Sequence, residues 1–141
     1  MKHFSLACLA LAILPESCFA QAAMAPASAP VLTEIARAPR DGCTQSFDLA
    51  QRRIFAHTWT DDWRVGINGR TLAFSLRNSS YDNKTGAFAL YSKDRKISVR
   101  TQPTGQSVST RDHDADIVMV TLTVSGAVYR TKAYRICPPG D

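Results

Sequence analysis

Hydrophobic and polar positions alternate in three stretches, each broken by a pair of turn-forming residues. Asn68-Gly69 is the first break. Both central positions of a type I′ turn need positive φ, and Asn-Gly supplies them at least cost. A two-residue loop there places Val65 opposite Leu72 and Trp63 opposite Phe74. Those four, with Ile67 and Leu76, share one face, while Arg64, Gly66, Thr71, Ala73 and Ser75 share the other. Turn chemistry and binary pattern agree, which predicts a hairpin with one buried face. A second hairpin is predicted to turn at Asp94-Arg95, with Leu90 opposite Val99 and Ser92 opposite Ile97. Phe88 joins its apolar face, while Lys96, Ser98 and Arg100 alternate outward. A third turns at Ser125-Gly126. It pairs the β-branched run Ile117–Val124 with Ala127–Ile136, so that Leu122 faces Tyr129 and Val118 faces Ala133.

Between these hairpins, Asn78–Gly86 and Gln102–Asp116 are dense in turn formers and are read as polar loops, the second long enough to suggest a functional or mobile one. Ser46–Trp59 is ambiguous. Phe47, Ala50 and Ile54 fit a helical stripe, but Arg53–Trp59 reads equally as a strand, and a strand entering the sheet is expected. The pattern predicts an all-β domain: a small antiparallel barrel or sandwich of about six or seven strands.

The start of the chain follows a different logic. Lys2 and His3 precede an apolar run from Phe4 to Leu14, then Pro15-Glu16-Ser17 and small residues up to Ala20. This is the layout of a cleavable secretory signal over residues 1–20. The apolar run is shorter than the roughly 20 residues that span a bilayer. Cys18 is preceded by Pro15-Glu16-Ser17, which is not the context for lipid attachment. The expected product is a soluble periplasmic or secreted protein. Residues 21–42 carry Pro26, Pro30 and Pro39 with little periodicity and read as a flexible Ala/Pro-rich tether. The domain is then 43–137, followed by a 138–141 tail.

Export changes the reading of the cysteines. Cys8 and Cys18 leave with the signal, and Cys43 and Cys137 remain. An even count in an oxidising compartment reads as one disulfide, here joining the two ends of the domain.

Candidate chemistry is sparse. The 17 Lys+Arg and 12 Asp+Glu give a net charge of +5, unchanged by loss of Lys2 and Glu16. His57 lies among apolar residues, and no serine sits in a Gly-x-Ser-x-Gly elbow. Asp112-His113-Asp114-Ala115-Asp116 alternates carboxylates, but an EF-hand would need Gly where Ile117 stands and Glu where Thr123 stands. Glu34 falls in the tether, and the other acids cluster in turns, which offers no carboxylate pair for glycoside hydrolysis. The expectation is a binding protein rather than an enzyme, with no metal and no cofactor. Export argues against nucleic acid as a partner. Dispersed bases, Arg130 and Lys132 among them, suit anionic envelope polymers.

One stretch carries a resemblance. In Asn78–Val99, Ser79, Ser80 and Tyr81 stand in a loop, Gly86 opens a strand, and Tyr91-Ser92-Lys93 closes it. This resembles the central segment of the bacterial c-type lysozyme inhibitors, the membrane-bound and periplasmic group. The preceding Asn68-Gly69-Arg70-Thr71-Leu72 is similar to that family's hairpin before the loop. Asp94 stands where the family has Gly. The resemblance implies an inhibitor that inserts a loop and a lysine into a lysozyme's cleft. Lys93 would pair with the catalytic carboxylates, Ser80 would supply the loop hydroxyl, and Tyr81 and Tyr91 would also contact the partner. A lysozyme-type hydrolase is the implied protein partner. The alternatives are an immunity protein for a secreted toxin and an envelope module that binds anionic polymers.

Overall fold

A computed structural model describes residues 28–35, 42–59 and 62–138. The signal segment, Cys8 and Cys18 lie outside them. Nine strands form one antiparallel sheet: β1 (Thr44–Ser46), β2 (Ile54–Trp59), β3 (Asp62–Ile67), β4 (Arg70–Ser75), β5 (Ser79–Asp82), β6 (Ala87–Tyr91), β7 (Ile97–Ser109), β8 (Asp114–Val124) and β9 (Ala127–Ile136). Their order is β4-β3-β2-β1-β9-β8-β7-β6-β5, and the sheet curls into a nearly closed barrel. A 3-10 turn, Leu76–Asn78, links the two edge strands β4 and β5.

The three hairpins take the registers that their turns impose. Val65 pairs with Leu72 and Trp63 with Phe74. Leu90 pairs with Val99, and Ser92 donates its N–H to the Ile97 carbonyl at 2.9 Å. Leu122 pairs with Tyr129 and Val118 with Ala133. Asn68 and Gly69 have φ of 50° and 75°, and Ser125 and Gly126 of 48° and 89°. These are the left-handed conformations that two-residue turns demand.

Among the described residues the strand count is nine rather than six or seven: the added strands are β5, inside Asn78–Gly86, and the short β1, while the other polar stretch lengthens β7 and β8 without adding a strand. Asn78–Gly86 contains β5, paired with β6 through Ser80↔Ala89 and Tyr81↔Phe88. Gln102–Asp116 is mostly ribbon: β7 runs on to Ser109 and β8 starts at Asp114, leaving only 110–113 as the turn. A register shift between Pro103 and Gln106 bends this ribbon. Its residues are largely exposed, so they show no apolar alternation. Periodicity reports burial, not hydrogen bonding, and a ribbon that buries little beyond Ala115 has almost nothing to alternate. In Ser46–Trp59 the strand reading holds for β2. Residues 47–53 form a loop between β1 and β2, closed by Phe47 N–H to Arg53 O at 3.0 Å.

The core is one cluster that includes Phe55, Val65, Ile67, Phe74, Leu90, Val99, Val118, Val120, Leu122 and Ala133. Cys43 and Cys137 are bonded, as expected, 94 residues apart. They sit one step beyond the Thr44↔Ile136 pair of β1 and β9.

The stretch read as a tether requires correction where it is described. Residues 31–35 lie along the start of β2 and the end of β3. Thr33 N–H bonds Gly66 O and Ile35 N–H bonds Ile54 O, both at 2.9 Å, and Leu32 bridges Ile67. Leu32 and Ile35 are each only 5% exposed. So short an apolar stretch cannot show a period, yet the two side chains it buries suffice to dock the segment.

Candidate functional site

Antiparallel register decides which side chains share a face. The inward face of β6–β9 holds Leu90, Val99, Val120 and Leu122, and its opposite is the outer surface. Ser80 pairs with Ala89, Ala89 with Arg100, Arg100 with Thr121 and Thr121 with Arg130. One outward row therefore crosses five strands, with a hydroxyl at one end and two exposed guanidinium groups along it. Tyr91 lies on the same face. Its Oη is 3.4 Å from Ser80 Oγ, and the Arg95 guanidinium sits 5.1 Å over its ring. That distance suits a cation–π contact.

Lys93 stands at the end of this hairpin, exposed in the turn between β6 and β7. The turn is braced from within. Ser92 Oγ donates to Asp94 Oδ1 at 2.6 Å, and Lys96 N–H donates to the same oxygen at 3.1 Å. Ile97 N–H donates to Ser92 Oγ at 3.0 Å, and Arg95 N–H to Ser92 O at 2.8 Å. Ser125 N–H reaches Lys96 O at 2.8 Å, which ties this turn to the next hairpin. Asp94 is thus the acceptor that organises the turn. The Ser92 hydroxyl, then the Lys96 N–H, hold its carboxyl below the usual range.

Asp82 is lowered by the Lys84 N–H and the Thr85 hydroxyl, and Asp48 chiefly by the Arg52 N–H. A folded pKa depressed below its unfolded value contributes stability above the unfolded pKa and loses it as pH falls through the folded one. The three loops should therefore stay ordered at neutral pH and loosen only below the ordinary carboxylate range near 3.8. NMR titration of the three carboxyl carbons checks this. Midpoints at or above the ordinary value would contradict it.

Of the four residues singled out from sequence, Ser80 and Tyr91 come together and Lys93 follows on the adjoining turn. Tyr81 does not join them. It pairs with Phe88 on the opposite face and is 64% exposed at the barrel's opening. Arg95 and Arg100 stood out in the sequence only as dispersed bases. Their placement on the Ser80–Tyr91 face comes from the turn and from strand pairing.

The histidines take other roles. His57 is 2% exposed within β2. His113 Nε2 lies 3.2 Å from Leu49 O, joining the ribbon's tip to the β1–β2 loop. Asp116 accepts from Arg135 Nη2 at 2.8 Å. Among the described residues, no three His, Cys, Asp or Glu side chains converge as a metal site would require. No family model, curated protein or solved structure matches this chain.

Proposed function

We propose that this chain is an exported binding protein that blocks an acidic cleft on a macromolecular partner, a lysozyme-type cell-wall hydrolase, with Lys93 and Ser80. The observation that carries the reading is the braced turn, which presents exposed Lys93 beside the Ser80, Tyr91 and Arg95 cluster. An ammonium placed between two carboxylates makes charge-assisted hydrogen bonds, stronger than neutral ones. A turn already ordered before docking reduces the entropy lost on binding. The Cys43–Cys137 bridge supports the oxidising compartment that the leader implies. The +5 charge acts in two ways: it favours an acidic cleft at short range and slows encounter with a partner that is basic overall.

The test is a turbidity assay of bacterial lysis by several lysozyme types. Wild type is expected to inhibit at least one at micromolar concentration. Lys93→Ala should weaken that inhibition roughly 30-fold or more, the cost of about 2 kcal/mol or greater when one member of a buried charge pair is lost. Absence of inhibition across all types would sink the proposal. Co-purification of a single cognate toxin from the native envelope would replace it with the immunity-protein reading.

A second reading rests on the Arg100–Thr121–Arg130 row, with Lys132 also exposed on β9. Such a row suits an anionic envelope polymer. Binding would then fall steeply with salt and survive Lys93→Ala.

A further inference from the structure

The barrel opens at the end where the disulfide lies. The opening is a cavity of about 220 Å³ walled by Trp63, Tyr81 and Phe88, with Thr58, Gly86 and the Cys43–Cys137 bridge completing the rim. Register places these walls on the inward face: Thr58 pairs with Trp63, and Tyr81 with Phe88. The Trp63 and Phe88 rings lie 5.1 Å apart, which bridges the two halves of the barrel near the unpaired β4 and β5 edges.

Polar groups here are few. Gln45 and Thr101 are 2% and 3% exposed. They satisfy one another, with Gln45 Nε2 3.2 Å from the Thr101 hydroxyl. Arg135 also lines the cavity. Its Nη2 donates to Asp116 Oδ2 at 2.8 Å. A mostly apolar cavity with a few convergent polar groups is the usual form of a small-molecule site.

We propose that this opening binds the acyl end of a small uncharged amphiphile. Its apolar tail would lie among Trp63, Tyr81 and Phe88, and its amide or ester carbonyl would accept from Arg135. Size supports a short tail or single ring: a cavity of about 150 Å³ already holds benzene. Charge supports an uncharged head. The Asp116 carboxylate occupies one side of the Arg135 guanidinium, so a second carboxylate there would meet like charge.

The site lies on the face opposite Ser80 and Tyr91, so its test is independent of Lys93. The chain, isotopically labelled, is titrated with octanamide and separately with octanoate at pH 7, followed by backbone amide NMR. Octanamide is expected to give saturable shifts at Gln45, Phe88 and Thr101, with octanoate at least fivefold weaker. Thr58→Trp, which fills the cavity, should abolish both. Tyr81→Ala, at an exposed edge position, should weaken octanamide severalfold without affecting folding. Arg135→Met should bring the two ligands within twofold of each other. Absence of saturable shifts, tighter binding of octanoate, or binding unchanged in both Thr58→Trp and Tyr81→Ala would overturn the proposal.

Discussion

Replacing Cys43 and Cys137 together with alanine is expected to lower the unfolding free energy by about 3–5 kcal/mol, a fall in melting temperature on the order of 15 °C. The bridge closes a loop with a sequence separation of 94. In the chain-entropy account, long loops restrict the unfolded chain most. The location adds to the effect. The barrel is closed by β1, a strand of three residues that pairs with β2 on one side and β9 on the other. Three residue pairs are a small joint for a closure spanning the chain, and the disulfide extends it by one covalent step. Urea melts of wild type and the double variant measure the difference. The double variant avoids the free thiol that either single change would leave. A loss under about 1 kcal/mol would show that β1–β9 pairing holds the barrel without the bridge.

Gly66→Ala is expected to cost about 2–4 kcal/mol, although alanine is a small residue and the position lies in an ordinary strand. A Cβ at Gly66 would lie 1.9 Å from the Thr33 carbonyl oxygen and 2.8 Å from its carbonyl carbon. The obstacle is backbone, so no rotamer change relieves it. Residues 31–35 would have to lift away. They would lose the Thr33–Gly66 hydrogen bond and the burial of Leu32 and Ile35. Full burial of such side chains contributes roughly 1.5–3 kcal/mol each, offset in part by the order the segment then loses. A double-mutant cycle separates this cause from simple strand propensity. In a chain lacking residues 28–35, Gly66→Ala should cost under about 1 kcal/mol. An equal cost with and without the segment would show that docking is not the reason.

Gly66 also marks the limit of what the sequence reveals. Its neighbours Val65, Ile67, Asn68 and Gly69 make the hairpin legible, because a type I′ turn has few acceptable dipeptides and fixes the register of both flanking strands. What lies over Gly66 was not legible, since Val31, Leu32 and Ile35 make too short an apolar stretch to show a period and the contact spans more than 30 positions. The same distinction applies to the candidate site. The Asp94-Arg95 turn and the Leu90↔Val99 register follow from local pattern. The alignment of Arg100 with Arg130 passes through the β7–β8 pairing, whose ribbon carries a bulge in a stretch without apolar alternation. The inward aim of Tyr81 depends on β5 being a strand, and that segment reads as a loop until its pairing with β6 is seen. Arg95 over Tyr91 follows from a positive φ of 56° at Arg95, which residue type alone does not announce.

The order of strands around the barrel has a kinetic consequence. Apart from β1 with β9, every paired strand is next to its partner in the chain, and the one break in the ring falls between the consecutive strands β4 and β5. The molecule is two meanders, β1–β4 and β5–β9, each able to grow outward from contacts at its own turns. Such contacts form quickly because little chain entropy is lost in closing them. Only the meeting of the two chain ends is slow by this measure. In the oxidised protein the disulfide has already made that encounter, so refolding starts with its most distant partners held together.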